Sequence, residues 1–224
     1  MFHIKRQGFT LLEVLAAILI IGIIAVMVMP SLTKNIQDKT NMSLLKGTVS
    51  SVDNVVQAEL TKQRTDDILL TDIYKNPRAF LEKFDLAKSG EAFSTTYKKL
   101  SNSSKIGVLI PEENNRVLLK NGVGLGIING DDDKYTTVVV DVTGSAKPNI
   151  VGVDYFVFKI EWEDNYSDGY RTGDVNSFKN VNSEGAESKS ALKTLCEDGD
   201  GAACYRLVVL SSYDPEYLKK EYLD

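Results

Sequence analysis

An almost unbroken apolar run from Phe9 to Met29 constrains this chain more than any other feature. Within the run only Thr10 and Glu13 carry side chains that hydrogen-bond strongly, and Leu, Ile, Val, Met and Ala occupy every helical face. As a helix the run would be about 31 Å long, which matches the hydrocarbon core of a bilayer. A helix that is apolar on all sides belongs in lipid or in a bundle of similar helices.

Glu13 lies one turn inside this run, where an acidic side chain is costly. Insertion scales put the cost at the helix centre at roughly 2.5–3.5 kcal/mol, and snorkelling reduces it near the helix end. The charge therefore needs a partner, and the exposed cations of Lys5 and Arg6 are weak ones. A cut between Gly8 and Phe9 would place a new α-amino group at the depth of Glu13, where it could neutralise this carboxylate in a neighbouring copy. The simpler interpretation is a snorkelling glutamate in a plain membrane anchor.

Residues 5–14, KRQGFTLLEV, resemble the prepilin peptidase site of type IV pilins and of the pseudopilins of type II secretion. The resemblance extends over residues 5–30 and includes the processing and assembly positions Gly8, Phe9, Glu13 and Pro30. A generic signal peptide ends in small residues after its apolar part, whereas this segment has a glycine before it. The resemblance implies that a membrane aspartic protease removes residues 1–8 on the cytoplasmic side and that the new amine of Phe9 is methylated.

Three parts follow from this resemblance: a leader peptide at 1–8, a membrane-spanning assembly helix at 9–30 and an exported head at 31–224. The implied fold is α+β and pilin-like, with one long N-terminal helix packed on an antiparallel β-sheet of about four strands. The implied partners are prepilin peptidase, an inner-membrane assembly platform, the lipid bilayer, other pilins and further copies of the chain. Cations before the apolar run predict a cytoplasmic amino end and an exported head. The resemblance implies that the chain is first held in the inner membrane and that its head later coats a periplasmic or extracellular filament.

Helical periodicity continues beyond Pro30 and predicts one helix from about Thr10 to Thr65, bent where the proline removes a backbone hydrogen bond. Apolar residues at spacings of three and four form a stripe: Leu45, Val49, Val52, Val56 and Leu60. Polar residues fall on the other faces: Lys46, Ser50, Asp53 and Glu59. The second half of the helix is therefore predicted to lay its stripe on a core.

Residues 66–110 are predicted to form a connector with short helices, one of which begins at Asn76-Pro77 and ends at Ser89-Gly90. Four strand patterns follow, at 116–120, 123–128, 135–142 and 153–162. Asn121-Gly122 predicts a type I′ hairpin, and Asn129-Gly130 predicts the next turn. In the pilin-like architecture the connector is exposed, so we expect it to carry subunit contacts.

The C-terminal part begins with a polar stretch at 163–190 that predicts a long exposed loop. A short helix at 190–195, a strand at Tyr205–Leu210 and an amphipathic helix at 214–224 are predicted to follow. Cys196 and Cys204 lie between the first two, and an oxidising compartment favours a disulfide between them. This disulfide would tie the predicted strand to the loop before it. A metal pair is the alternative, but no further cysteine or exported histidine is present to complete a zinc site.

The sequence contains no catalytic constellation. The single histidine, His3, lies in the leader, and neither cysteine has a histidine partner for thiol catalysis. Gly122, Gly124 and Gly126 lie in a predicted hairpin with no following helix, which favours turn chemistry over a nucleotide loop. We therefore expect a structural protein that is not an enzyme and needs no cofactor.

Two acidic loops are candidates for calcium, which prefers hard oxygen ligands. The first is Asp131-Asp132-Asp133, which lacks the spacing of an EF-hand, and the second comprises Asp141, Asn149 and Asp154 around the Pro148 loop. For both loops the favoured interpretation is turn capping through hydrogen bonds between side chain and backbone. No metal ligand is therefore assigned.

The net charge of -5 provides no basic face of the kind that nucleic-acid-binding proteins show. The favoured function is a structural filament subunit, and the sequence leaves open whether it serves a pilus, a secretion pseudopilus or DNA uptake. The alternative is a single-span surface protein whose head binds a ligand or substrate without polymerising. Replacing Glu13 with alanine separates the two, because only a filament subunit would keep insertion and lose assembly.

Overall fold

The structure is a computed structural model that describes residues 10–65, 68–87, 90–129, 135–161 and 188–215. The chain forms two compact units, Met1–Lys39 and Thr40–Asp224. A long N-terminal helix and a four-stranded antiparallel sheet confirm the predicted α+β class. Several predictions lie outside the described residues: the leader with Gly8 and Phe9, the Asp131–Asp133 turn, the 163–190 loop up to residue 187, and all but the start of the helix at 214–224.

Helix α1 extends over Leu11–Gln63, close to the predicted bounds. The helix is continuous through Pro30, and the bend expected there stays a prediction. In the second unit the apolar stripe is buried, with exposed fractions of 0–9% at Leu45, Val49, Val52, Val56 and Leu60. Burying side chains of this size contributes roughly 1.5–3 kcal/mol each, which fixes this half of the helix in the core.

Glu59 lies outside the apolar stripe of α1, and the structure shows that it is nevertheless buried. Its side chain is 2% exposed and forms an ion pair with Lys83, which also contacts Asp72 at 3.1 Å. Gln63 Nε2 donates a further hydrogen bond to Glu59 at 3.1 Å. The connector therefore covers this face of the helix, and its Lys83 pairs with the buried negative charge of Glu59.

The connector begins with three short helical segments: a 3-10 turn at Ile68–Leu70, α2 at Asp72–Lys75 and α3 at Pro77–Leu81. Asn76 caps α3 as predicted, because its side-chain oxygen accepts from Ala79 N at 3.3 Å. A small antiparallel pair follows, formed by β1 (Tyr97–Lys98) and β2 (Lys105–Ile106), which the sequence pattern does not predict.

The prediction that the helix at Pro77 continues to Ser89-Gly90 is wrong, since α3 ends at Leu81. The chain after α3 turns to follow the edge of the main sheet. Ala87 N donates to Leu118 O at 2.8 Å, and Lys120 N donates to Asp85 O at 2.9 Å. These bonds to the sheet edge replace the bonds that a longer helix would form, and they cover the unpaired edge.

The main sheet contains β3 (Arg116–Leu118), β4 (Gly124–Asn129), β5 (Tyr135–Asp141) and β6 (Tyr155–Glu161). The strands are antiparallel and lie in the order β3-β4-β5-β6, as the predicted hairpins require. One face contributes alternate side chains to the core that holds the α1 stripe: Leu125, Ile127, Val138, Val140, Phe156 and Phe158.

The turn between β3 and β4 differs in type from the predicted one. A type I′ turn requires positive φ at both central residues, but only Gly122, at 87°, and not Asn121, meets this condition. Gly122 N donates to Leu119 O at 2.9 Å, and Leu119 N donates to Val123 O at 2.8 Å. The hairpin therefore closes a three-residue loop with glycine in the left-handed position.

Glycines in β4 allow the connector to lie directly on the second face of the sheet. A Cβ atom at Gly124 would lie 1.8 Å from Ala92 O, and one at Gly126 would lie 2.4 Å from Pro111 Cγ. Any side chain at these two positions would displace the connector. The glycine spacing that resembles a nucleotide loop thus has a packing role.

The C-terminal part contains α4 (Lys189–Glu197), which confirms the predicted short helix, and α5 (Gly201–Leu210). The predicted strand at Tyr205–Leu210 is wrong, because these residues are helical. Asp200 caps α5 by accepting from Ala202 N at 2.8 Å and Ala203 N at 3.1 Å. Helix α5 packs along the edge strand β6, where the rings of Tyr205 and Phe158 stack at 5.1 Å. The capped helix start outweighs the β propensity of the Tyr-Arg-Leu-Val-Val run.

Candidate functional site

The first turn of α1 forms a reciprocal capping box between Thr10 and Glu13. Thr10 Oγ1 accepts from Glu13 N at 3.3 Å. In return, Glu13 Oε2 accepts from both the backbone N and the hydroxyl of Thr10, each at 2.8 Å. This is the Thr-x-x-Glu arrangement that satisfies two otherwise unpaired donors at a helix start. The sequence contains this spacing, and we did not predict the cap from it.

The box gives Glu13 a local role besides the predicted one in assembly. The carboxylate lies at the positive end of the helix dipole, where an anion is favoured. Among the described residues, every donor to this carboxylate uses Oε2. A carboxylate can accept further hydrogen bonds at its second oxygen, so the cap leaves Oε1 available for another donor.

The stretch of α1 that follows presents apolar side chains on all sides. Twelve large apolar residues between Leu11 and Met27 are 44–78% exposed. The exposure of so much apolar surface to water is unfavourable, and patches of this kind are typical of interaction sites. Within the part of the chain that the structure describes, no helix is both long and apolar enough to cross a membrane. The predicted membrane span stays a prediction.

The second calcium candidate forms a compact, buried cluster at the end of the sheet. Asp141 ends β5 and Asp154 precedes β6, and both side chains are fully buried. Thr143 Oγ1 lies between them, 3.2 Å from Asp141 Oδ1 and 3.3 Å from Asp154 Oδ2. Asp154 also accepts from Asn149 N at 2.6 Å and from Ile150 N at 2.7 Å. The carboxylates cap the turns of the connecting loop, as the favoured interpretation predicts.

The environment of the two carboxyls disfavours their charged forms. Burial and, to a smaller extent, the negative charge of Asp154 outweigh the hydrogen bonds from Tyr97 and Thr143 and raise the pKa of Asp141 to about 7. Burial likewise raises the pKa of Asp154 to about 6, against the amides of Ile150 and Asn149. In the described residues no three His, Cys, Asp or Glu side chains are grouped as ligands for a metal ion.

Cys196 and Cys204 form the predicted disulfide, with Cα atoms 4.7 Å apart. The bond joins α4 to α5 and not, as predicted, a loop to a strand. Its sulfurs lie against Gly152 in the β5–β6 loop, which has a φ of 87°. A Cβ atom at Gly152 would lie 2.8 Å from Cys204 Sγ, so the glycine permits this close packing.

Residues 4–29 match the family model of the prokaryotic N-terminal methylation motif, the prepilin-type signal of type IV pilins and pseudopilins. This confirms the resemblance seen in the sequence. The match includes Gly8, Phe9 and Glu13, and the head lies outside it. Neither a search of curated proteins nor a search of solved structures found a match to the chain. The motif, the long helix and the four-stranded sheet together support a type IV pilin-like or pseudopilin precursor.

Proposed function

We propose that the protein is a structural subunit, a pilin or pseudopilin, of a type IV pilus or of a type II secretion-like filament. The match to the N-terminal methylation motif carries this proposal. In it, prepilin peptidase cuts between Gly8 and Phe9, and the new amine of Phe9 is methylated. The subunit has no catalytic role of its own.

The exposed apolar stretch of α1 provides the driving force for assembly. The side chains between Leu11 and Met27 find apolar neighbours first in the bilayer of the inner membrane and then in the helices of other subunits. The inner-membrane assembly platform moves the subunit from one environment to the other. A head-to-tail contact that does not close on itself produces a filament, with the heads outside.

Glu13 sets the register of this packing in the proposal. The cap on Oε2 orients the carboxylate along the first helical turn, and Oε1 accepts from the Phe9 amine of a neighbour. Two opposite charges in a water-excluded core are favourable together and costly apart. A subunit packed in the wrong register would leave both charges unpaired, so the pair selects one packing.

Replacing Glu13 with glutamine tests the charge separately from the cap. Glutamine also serves at this position of a capping box, so Glu13→Gln keeps the helix start and removes the negative charge. We expect normal membrane insertion and leader cleavage, and loss of filaments in electron micrographs of cells. Glu112→Ala, which removes an exposed acid of the head, is the matched control and should assemble normally.

One result would count against the charge pair, and another against the filament itself. If Glu13→Gln and Glu13→Ala both assemble as the wild type does, the charge pair is not required. If the wild-type chain forms no filament under conditions in which other pilins of the same cell do, the protein is a non-polymerising single-span protein whose head binds a ligand or substrate.

A further inference from the structure

The cluster at the end of the sheet holds more hydrogen-bond acceptors than protons. Thr143 Oγ1 lies within hydrogen-bond distance of three acceptors: Asp141 Oδ1 at 3.2 Å, Asp154 Oδ2 at 3.3 Å and Ala146 O at 3.0 Å. A threonine hydroxyl has one proton and can serve only one of them at a time. Asn149 adds a buried side-chain oxygen that has no partner among the described residues.

A single additional proton on Asp141 links the two carboxyls through the Thr143 hydroxyl. With that proton on Oδ1, Asp141 donates to Thr143 Oγ1, and the Thr143 hydroxyl then donates to Asp154 Oδ2. Tyr97 OH continues to donate to Asp141 Oδ2 at 2.6 Å. Above about pH 6, the pKa of Asp154, this second carboxyl is ionised and accepts from the backbone amides of Asn149 and Ile150. When both carboxyls are ionised, two buried anions face each other across one hydroxyl proton, which is costly.

We propose that Asp141, Thr143 and Asp154 form a proton-dependent latch that fixes the β5–β6 loop while one carboxyl is protonated and loosens it when both are ionised. The loop, residues 142–154, lies at the junction of three parts of the head. It pairs with β1, where Lys98 N donates to Asn149 O and Val151 N donates to Lys98 O, each at 3.0 Å. It also carries Gly152, which packs on the disulfide between α4 and α5.

Among the residues that the structure describes, the other ionisable groups around the latch do not supply a compensating cation. Tyr97 from β1 donates to Asp141, and Tyr155 from β6 packs against Tyr97 with ring centroids 4.9 Å apart. The negative charge of Asp141 raises the pKa of Tyr155, which burial has already raised, and Asp200 at the start of α5 acts in the same direction. Lys98 on β1 and Lys147 on the loop itself are exposed.

The direction of the pH effect depends on whether Asp141 binds its proton more tightly in the closed loop or in the open loop. The pKa of Asp141 is about 7 in the closed loop, and an open loop would return it toward its ordinary value of about 3.9. Between these values the closed form holds a proton that the open form releases. The latch is therefore tightest at acidic pH and loses stability as the pH rises to about 7, after which the effect levels off.

Hydrogen–deuterium exchange of the full chain in detergent, in buffer with a chelator, tests the latch between pH 5 and 8. After correction for the intrinsic exchange rate, we expect protection of residues 147–154 to fall as the pH rises from 6 to 7, by up to about tenfold per pH unit, the limit for one linked proton. In Asp141→Asn, which carries no titrating proton at that site, protection should be nearly independent of pH. Asp85→Asn, at an exposed acid, should keep the wild-type profile.

A carbon-13 titration of aspartate carboxyls in the wild-type chain provides a second measurement that needs no variant to fold. We expect one carboxyl of the pair to titrate between pH 6 and 7.5. If both carboxyls titrate below pH 5, or if protection of residues 147–154 in the wild type does not change with pH, the latch is refuted. A pH dependence that persists unchanged in a folded Asp141→Asn variant would refute it as well.

Discussion

Residues 11–27 and 42–60 belong to the same helix and are both rich in aliphatic side chains, yet their surroundings differ. In the first stretch the large apolar side chains cover every face and are 44–78% exposed. In the second they recur at spacings of three and four, and the stripe is buried at 0–9% exposure. The second stretch takes its partners from its own chain. The first has no such partners among the described residues. A helix that is apolar on all sides is typical of a membrane span or of a bundle of similar helices.

The largest expected effect comes from replacing leucine with alanine in each of the two stretches and comparing the loss of stability. Leu45→Ala in the buried stripe should destabilise the head by about 2–5 kcal/mol, because it removes buried methyl groups and leaves a cavity. Leu19→Ala in the exposed stretch should leave the stability of the head within about 0.5 kcal/mol of the wild type. Urea unfolding of the full chain in detergent, followed by near-ultraviolet circular dichroism, measures both. Equal losses would show that the two stretches do not differ as described.

The disulfide should stabilise the head and have no effect on residues 11–27. Replacing Cys196 and Cys204 with serine should lower its stability by roughly 2–3 kcal/mol, since the closed loop is short. Gly152→Ala should also destabilise it, because the added methyl group would meet the sulfurs. Amide exchange by mass spectrometry would show faster opening of α4 and α5, with residues 11–27 unchanged. Unchanged exchange in α4 and α5 would refute this role.

The ion pair between Glu59 and Lys83 should contribute less to the stability of the head than the disulfide does, because Lys83 is partly exposed. Burial raises the pKa of Glu59, but the hydrogen bonds from Lys83 and Gln63 and the positive charges of Lys83 and Lys62 outweigh burial, so the pKa lies below its ordinary value. The pair therefore stabilises the head above about pH 4.5 and loses this effect as the pH falls through the lowered pKa. Lys83→Met should cost about 1–2 kcal/mol at pH 7 after allowance for solvent screening. In Glu59→Gln/Lys83→Met most of the loss should be recovered.

The smallest expected effect concerns the helix start. Thr10→Val removes one side of the capping box and should destabilise the first turn of α1 by about 0.5–2 kcal/mol, whereas Thr10→Ser should behave as the wild type. Exchange rates of the amides at residues 11–14 in detergent measure the effect. Equal rates in the valine and serine variants would contradict the capping role.

Periodicity and turn residues predicted α1, the four strands of the main sheet and the short helix before Cys196, because each is decided by its local pattern. Features that a distant segment decides could not be predicted in this way. Glu59 is buried because Lys83 from the connector covers it, and α3 stops at Leu81 because the next residues bond to the sheet edge. Neither partner can be located from the spacing within one element.

The α5 error has a different origin. Tyr205–Leu210 has the β-branched and aromatic composition of a strand, and Asp200, which caps the helix, precedes the predicted segment. In the candidate site, the Thr-x-x-Glu spacing at residues 10–13 was a sufficient signal for the capping box. The grouping of Asp141 with Asp154 around one loop was predicted, but the Tyr97 hydroxyl comes from a strand that the pattern does not show.

Mass spectrometry of the N-terminal peptide, taken from filaments that contain the protein, tests the central claim most directly. The account predicts a mature chain that begins at Phe9, with a methyl group on its α-amine, and no peptide that includes residues 1–8. Filaments whose subunits still begin at Met1 would contradict the account, because an intact leader would leave Glu13 without the amine that it is proposed to bind.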